Sequence, residues 1–338
     1  MWFLVPPEPV HLAFPKIPAA GERSGGPGGS TVAAPAGAWV ALEKLHGAQL
    51  VIVATADDVR VGKRKEFLRD DESFFGWQTL RADLLDFGRR AVDELASGND
   101  GVTLYGELFG GHYPHPDVEP VPGLSAVQTG IWYAPGLHWA MFDVRIGDRF
   151  LAWSEVAALA GTIGALTPPV VSSGTRATVD ATSERFASRV PALLALPALP
   201  AECGENLAEG LVVRPDVQQP VADRVIHKRK IAEFDERQYD GSAPFDPHQR
   251  LDAESVATLG GRMINAARLA SARSKCGDDN PQAVFDEVVL DVLIDLTDAL
   301  PAAMAALTET EESALREQLA AAAVSLPCEA PHTARPRA

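Results

Sequence analysis

The sequence predicts an α+β protein in which a strand-rich region is followed by a small all-helical domain. Residues 1–240 contain short apolar β-like runs separated by Gly, Pro and Asp. Residues 251–324 instead carry Ala, Leu and Glu at helical spacing. Between them, Gly-Ser-Ala-Pro-Phe-Asp-Pro at residues 241–247 is typical of a linker. We therefore expect three regions: a first domain at 1–242, a helical domain at 250–325 and a disordered tail at 326–338.

Composition excludes several classes of protein. The chain has 338 residues, 46% of them hydrophobic and 22% charged, which is ordinary for a globular protein. Its three cysteines are far apart and lack Cys-x-x-Cys spacing, so neither a disulfide framework nor a zinc site is expected. This favours a cytoplasmic protein. The apolar start lacks a basic flank and is cut by two prolines, so we expect no signal peptide and no membrane partner.

The net charge of −16 argues against nucleic-acid binding by the whole surface, because neutralising phosphates requires Lys and Arg. Any such contact must be local. Two basic clusters could supply it, although each is equally consistent with a solvated charged face. The clusters are Arg60, Lys63, Arg64, Lys65 and Arg69, and Arg224, His227, Lys228, Arg229 and Lys230.

The first candidate catalytic residue is Lys44, which follows an apolar strand-like run in Glu43-Lys44-Leu45-His46-Gly47. A lysine amine is mostly protonated at neutral pH, so a lysine that attacks phosphorus needs neighbouring cations that favour its neutral form. Lys-x-x-Gly alone is more often an ordinary turn. The case for Lys44 as a catalytic residue therefore depends on the motifs that follow it in the sequence.

Residues 102–111 predict a strand that ends in a glycine turn. Strand alternation places Thr103, Tyr105 and Glu107 on one face. Glu107 is therefore a candidate to point into a pocket and accept a hydrogen bond from a ribose hydroxyl. A surface glutamate at a strand end is the alternative.

Residues 130–150 predict two strands on either side of residues 135–136, followed by a hairpin turn. Alternation places Phe142 and Val144 on one face and Asp143 on the other. Phe142 is then either a core residue or an aromatic platform for a nucleobase.

A further acidic residue and two lysines complete the pattern. Glu209 precedes a glycine and a strand, where a carboxylate could face a metal ion or simply occupy a turn. Lys228 and Lys230 are two positions apart, so a strand presents both to one side and Arg229 to the other. Two ammonium groups directed at one place favour a bound anion, and a triphosphate would supply it.

Taken in order, these motifs resemble those of the phage RNA ligase 2 family, which includes the trypanosome RNA-editing ligases and belongs to the covalent nucleotidyltransferases. The chain departs from the usual Gly-Thr-Asn at residues 47–49 and has Arg214 where a lysine is common. The matching motifs are Glu43-Lys44-Leu45-His46-Gly47, Arg64 with its neighbours, Tyr105-Gly106-Glu107-Leu108-Phe109-Gly110-Gly111, Phe142-Asp143-Val144, Glu209-Gly210-Leu211-Val212-Val213 and Lys228-Arg229-Lys230.

The resemblance implies an antiparallel-sheet nucleotidyltransferase (ATP-grasp-like ligase) domain before the helical one. It implies an ATP-dependent RNA ligase that uses Mg²⁺ or Mn²⁺ and seals 3'-OH and 5'-phosphate ends of nicked or paired RNA through lysyl-AMP. The implied roles are Lys44 as nucleophile, Glu43 beside it in the nucleotide site, Arg64 on the phosphate, Glu107 on the ribose, Phe142 on adenine, Glu209 at the metal, Lys228 and Lys230 on the phosphates, and His46 in a later step.

Three alternatives stay open at this point. A DNA ligase or a capping-type guanylyltransferase would carry a β-barrel after the last lysine motif, where this chain is helical by pattern. A non-catalytic nucleotide- or RNA-binding relative would have no evident need for the lysine.

In the helical part, Arg262 and Arg273 are eleven positions apart and are expected on one helix face, as a candidate RNA contact.

Overall fold

The structure is a computed structural model that describes residues 9–20, 35–95, 101–235, 245–277 and 280–326. The chain separates into two compact units, Met1–Asp246 and Pro247–Ala338. The division falls inside the stretch predicted as a linker. Most of that linker, and the predicted tail after residue 326, lie outside the described residues.

Two antiparallel sheets build the first unit. The larger sheet contains, in spatial order, β3 (Val59–Lys63), β2 (Ala48–Ala54), β4 (Val102–His112), β5 (Ala134–Ile146), β6 (Arg149–Phe150) and β9 (Gln219–Pro220). The smaller sheet contains β10 (His227–Lys230), β8 (Gly210–Pro215), β1 (Trp39–Glu43) and β7 (Val170–Gly174). Every neighbouring pair is antiparallel, as the family resemblance implies.

Two helices that the sequence analysis did not predict, α1 (Arg81–Leu95) and α2 (Trp153–Ile163), bury apolar side chains in the main core of the larger sheet. Helix α1 approaches the sheet closely at Gly88, where an added Cβ would lie 2.5 Å from Val59. The described part of the unit also contains three short α-helices, α3 (Arg176–Asp180), α4 (Val190–Leu193) and α5 (Ala232–Asp235), and two 3-10 helices, Trp77–Leu80 and Ala201–Cys203.

Strand β5 corrects two predictions. It runs as one strand through residues 135–136, where the sequence analysis placed a break. Its register with β4 shifts between Tyr105 and Gly106, which indicates a β-bulge. The extra residue reverses the alternation, so Phe142 and Asp143 both line the face away from the helices, whereas Val144 packs in the helix-covered core. The predicted grouping of Phe142 with Val144 was therefore wrong.

The second unit is helical throughout its described elements: α6 (Ala253–Arg262), α7 (Ala266–Cys276), α8 (Pro281–Ala299), α9 (Pro301–Ala305) and α10 (Glu309–Ser325). Helix α8 buries an apolar stripe of Val284, Val288, Val289, Val292, Leu293 and Leu296, while Phe285 is only partly covered. Helix α10 starts with a capping box, in which Thr308 and Glu311 bond reciprocally.

The predicted shared face of Arg262 and Arg273 was wrong, because the two residues lie on different helices. Helix α6 ends at Arg262, and the Asn265 side chain accepts from the Arg268 backbone N–H at 3.0 Å to start α7. None of the described helices is long and apolar enough to cross a membrane.

The contact between β4 and β5 gives a stability prediction. A Cβ at Gly106 would lie 2.1 Å from the Trp139 indole, which is itself fixed by donating to the Leu50 carbonyl at 3.1 Å. Gly106→Ala should therefore lower the free energy of unfolding by about 1–3 kcal/mol. Gly161→Ala, on the exposed side of α2 with nothing within 4 Å, should leave it unchanged or raise it.

Tryptophan fluorescence in urea is the measurement, because all six tryptophans lie in the first unit. Equal stability of the two variants would contradict the packing described for Gly106.

Candidate active site

A cavity of about 570 Å³ lies between the two sheets of the first unit. Strands β1, β2, β3, β4, β5, β8 and β10 contribute to its walls, together with residues 14–17 of the N-terminal segment. Six of the nine predicted site residues line it: Glu43, Lys44, Arg64, Glu107, Phe142 and Lys228. The other three do not line it. Glu209 forms an ion pair with Lys44, and His46 and Lys230 each contact Glu209.

Glu209 is a buried carboxylate held between two lysines. Lys44 Nζ donates to Glu209 Oε2 at 2.6 Å, and Lys230 Nζ lies 2.6 Å from Oε1. Burial of Glu209, which is 1% exposed, would raise its pKa, but Lys44, His46 and Lys230 together hold that pKa well below its ordinary value. The carboxylate is therefore charged and fixes the positions of both lysine side chains.

Backbone pairing places these residues at one edge of the smaller sheet. Lys44 directly follows β1, and its backbone N–H donates to the Gly210 carbonyl at 2.9 Å. Lys230 pairs with Gly210 from the other side of β8. The arrangement puts the ends of β1 and β10 on either side of Glu209.

His46 lies beside the same carboxylate. Its Nδ1 is 3.5 Å from Glu209 Oε2, and its backbone N–H donates to the Tyr133 hydroxyl at 2.9 Å. The imidazole also meets the Phe234 ring edge-on, at a centroid distance of 5.0 Å. These contacts place His46 next to Lys44 but outside the cavity wall.

Two further carboxylates reach the cavity. Glu43 is 1% exposed and accepts from Ser188 Oγ at 2.6 Å and from the Arg189 backbone N–H at 2.8 Å; burial raises its pKa to about 7. Glu107 accepts from the Gly47 backbone N–H, and burial likewise raises its pKa to about 7. Each carboxyl group is therefore close to half protonated at neutral pH.

The end of the cavity near Phe142 combines an aromatic ring with buried charges. Phe142 meets the Phe14 ring edge-on at 5.1 Å. Beside it, Asp143 accepts from Arg214 at 3.0 Å and also pairs with Arg224. Arg214, the arginine found where the family commonly has lysine, thus neutralises a buried aspartate that lines the same cavity.

Four cations on the cavity wall lack an ion-pair partner among the described residues: Lys16, Arg64, Lys65 and Lys228. Their neighbour Lys63 differs, because it pairs with Glu66 at 3.0 Å and Glu72 at 2.5 Å. Burial, then Lys230 and Lys44, lower the pKa of Lys228. A cluster of unpaired cations in a chain of net charge −16 indicates a site for a polyanion.

The alternation predicted for β10 is confirmed. Lys228 lines the cavity and Lys230 binds Glu209, whereas Arg229 pairs with Glu184 and donates to the Asp180 carbonyl at 3.1 Å. The two lysines and the arginine therefore serve opposite faces of the strand.

Two contributors to the cavity were missed by the sequence analysis. Gln49 lines the cavity with its buried Nε2 unpaired in the structure, so it can donate to a ligand. Its position two residues after Gly47 is the available clue. Lys16 and its neighbours come from an N-terminal segment without helical or strand periodicity, and only the tertiary fold places them here.

Comparison with known proteins now identifies the family. The fold and the site define an α+β protein with a cation-lined cavity between two antiparallel sheets. Residues 37–230 match the family model described as RNA ligase, and they cover more than half of the chain. The chain therefore belongs to the RNA ligase family.

Two relatives are ligases of Trypanosoma brucei brucei. Mitochondrial RNA-editing ligase 2 is 33% identical over 202 residues, which is 52% of this chain and 48% of that protein. Mitochondrial RNA-editing ligase 1 is 29% identical over 212 residues, 52% of this chain and 44% of that protein. The chain thus spans about half the length of the relatives it matches.

Among solved structures, the Naegleria gruberi RNA ligase with PPi is 16% identical and has a TM-score of 0.37. The match covers 59% of this chain and 51% of that one. A mutant of the same ligase with ATP and Mn gives a TM-score of 0.38 at the same identity.

The raised pKa of Glu43 gives a prediction about pH. The ordinary pKa of the Glu43 carboxyl, which applies to the unfolded chain, is 4.5, whereas folding raises this pKa to about 7. The contribution of this group to the free energy of unfolding is therefore full below pH 4.5 and is lost as the pH rises through 7. The free energy of unfolding of the natural chain should fall by about 3 kcal/mol relative to Glu43→Gln over this interval.

Urea unfolding followed by tryptophan fluorescence at several pH values measures this difference. Glu119→Gln, which removes an exposed carboxylate, is the matched control and should parallel the natural chain. A constant difference between Glu43→Gln and the natural chain from pH 4.5 to 7 would contradict the assignment.

Proposed function

We propose that the chain is an ATP-dependent RNA ligase that joins a 3'-hydroxyl to a 5'-phosphate, with nicked or paired RNA as substrate. The observation that carries the proposal is the position of Lys44, inside the region that matches the family, on the wall of a cavity with four cations that have no ion-pair partner among the described residues. A nucleophile beside a polyanion site is the arrangement that covalent nucleotidyl transfer requires.

In the first step, the Lys44 amine, after losing a proton to solvent, attacks the α-phosphorus of ATP. A P–N bond forms and the bond from the α-phosphorus to the bridging oxygen breaks, so that its electron pair leaves with pyrophosphate, and the attacking nitrogen releases its second proton to solvent. Before this, Lys44 must leave its ion pair with Glu209. The phosphates of ATP would then replace Glu209 as the anionic partner of Lys44. Arg64 and Lys228, which have no ion-pair partner among the described residues, are positioned to bind those phosphates.

The other cavity residues fit a bound nucleoside. Phe142 offers an aromatic face for adenine. Glu107 can accept from a ribose hydroxyl, and Gln49 Nε2 can donate to the nucleotide. Glu43, close to half protonated at neutral pH, can serve as donor or acceptor to the base.

Magnesium or manganese is proposed as the second cofactor, because a divalent cation neutralises charge on transferring phosphates. No group of three or more His, Cys, Asp or Glu that could hold an ion occurs in the described ranges. A magnesium site of one carboxylate, substrate phosphates and water fits this chain. Once Lys44 carries AMP it is no longer an ammonium, and Glu209 Oε2 loses that partner and can serve as the carboxylate.

In the later steps, AMP passes from Lys44 to the RNA 5'-phosphate, and the 3'-hydroxyl then displaces AMP. We assign His46 to these steps, because it contacts Glu209 beside Lys44 and stands outside the cavity wall. We also propose the cytoplasmic location that the composition of the chain predicts.

The assignment of the nucleophile gives the first functional prediction. Lys44→Ala should abolish covalent labelling by α-labelled ATP, and the chain should still fold, since Lys230 keeps its ion pair with the buried Glu209 carboxylate. Lys275→Ala, on a helix of the second unit, is the control and should label normally. His46→Ala should still form lysyl-AMP but join nicked RNA poorly. Labelling of Lys44→Ala would exclude this lysine as the site of attachment.

The two faces of strand β10 give the second functional prediction. Lys228→Ala removes a cavity cation and Lys230→Ala removes one of the two lysine partners of Glu209, so either change should reduce the rate of self-adenylylation about tenfold or more. Arg229→Ala removes the pair with Glu184 and the hydrogen bond to the Asp180 carbonyl, both on the face away from the cavity, and should have a much smaller effect. Equal losses for all three variants would contradict the separation of the two faces.

A further inference from the structure

Residues 9–20, here called the N-terminal strap, run along the edge of the cavity and are fixed at both ends. At one end, His11 Nε2 is hydrogen-bonded to the Lys63 carbonyl at 2.8 Å, and the imidazole meets the Phe67 ring at 5.1 Å. At the other, the Lys228 backbone N–H donates to the Pro18 carbonyl at 2.9 Å. The strap therefore joins β3, in one sheet, to β10, in the other.

The middle of the strap is anchored by Phe14, which is 8% exposed. Its ring packs against Tyr105 at 4.9 Å and Phe142 at 5.1 Å, and the Arg224 guanidinium lies 5.0 Å from its centroid. This cluster holds the strap against the larger sheet. The residues between Phe14 and Pro18 are thus fixed from both sides.

Lys16 lies between these two anchors and lines the cavity with Arg64, Lys65 and Lys228. No ion-pair partner is found for it within the described ranges of the chain. Lys16 is also one of the charges that lower the pKa of Lys228. An ammonium held close to other cations without a carboxylate is unfavourable unless an anion binds there.

We propose that Lys16 binds the β- or γ-phosphate of the incoming nucleoside triphosphate, and the pyrophosphate that leaves. The proposal rests on the function proposed above and adds to it a residue outside the matched region, which begins at residue 37. When the Lys44 nitrogen bonds to the α-phosphorus and the bridging bond breaks, negative charge grows on the pyrophosphate. Lys16 stabilises that charge. AMP lacks these phosphates, so Lys16 discriminates the triphosphate from the monophosphate.

The test uses the full chain and its variants Lys16→Ala and Lys16→Arg, with Lys275→Ala as a lysine control in the second unit. Two concentrations are measured: the ATP that gives half-maximal self-adenylylation, and the inorganic pyrophosphate that gives half-maximal release of label from the charged protein as ATP. Lys16→Ala should raise each about tenfold, since a charge-assisted hydrogen bond is lost. Lys16→Arg and Lys275→Ala should stay near the natural chain.

Two further readouts separate the charge of Lys16 from a structural role of the strap. AMP binding and the joining of a pre-adenylylated RNA end involve no β- or γ-phosphate, so Lys16→Ala should leave both unchanged. Unchanged ATP and pyrophosphate requirements in Lys16→Ala would overturn the proposal, and so would equal losses of ATP and AMP binding. If the natural chain itself took no label from ATP, the proposed function would fail instead.

Discussion

The site depends on one buried carboxylate, Glu209, and its ion pairs with Lys44 and Lys230 at 2.6 Å each. A buried carboxylate is stable only when charged partners and hydrogen bonds replace water, and here the two lysines do so. The antiparallel order β10-β8-β1 brings the strand ends that carry them to one edge. Removing Glu209 would leave two ammonium groups close together without their counter-charge, so the position of the Lys44 side chain and the charge of the site are set by the same residue.

Charge is distributed unevenly in this molecule, and the distribution limits what it can bind. The chain carries −16 overall, yet Lys16, Arg64, Lys65 and Lys228 face one cavity without ion-pair partners among the described residues. Surrounding acidic groups disfavour extended contact with a polyanion, while the local cluster favours a compact one. A triphosphate fits such a cavity better than a long stretch of RNA does, in agreement with the proposed function.

Strand periodicity and apolar runs in the sequence predicted the features that depend only on residues close together in the chain. The facing of Lys228 and Lys230 follows from the period of a strand, and Lys44 and Glu209 stand at strand ends that apolar runs reveal. The bulge that places Phe142 on the cavity face beside Asp143 depends on pairing with β4, so alternation alone wrongly grouped Phe142 with Val144. Likewise, Ser188 binds Glu43 and Phe14 meets Phe142 only after distant segments fold together, which no local pattern shows.

The most direct test of the account is to locate the bound nucleotide on the natural chain. The protein is incubated with ATP and Mg²⁺, digested under conditions that preserve phosphoramides, and its peptides are analysed by tandem mass spectrometry. The account predicts AMP on the peptide that contains Lys44, formed with ATP in preference to GTP. AMP on Lys228 or Lys230 instead, or no adduct on a folded protein, would contradict it.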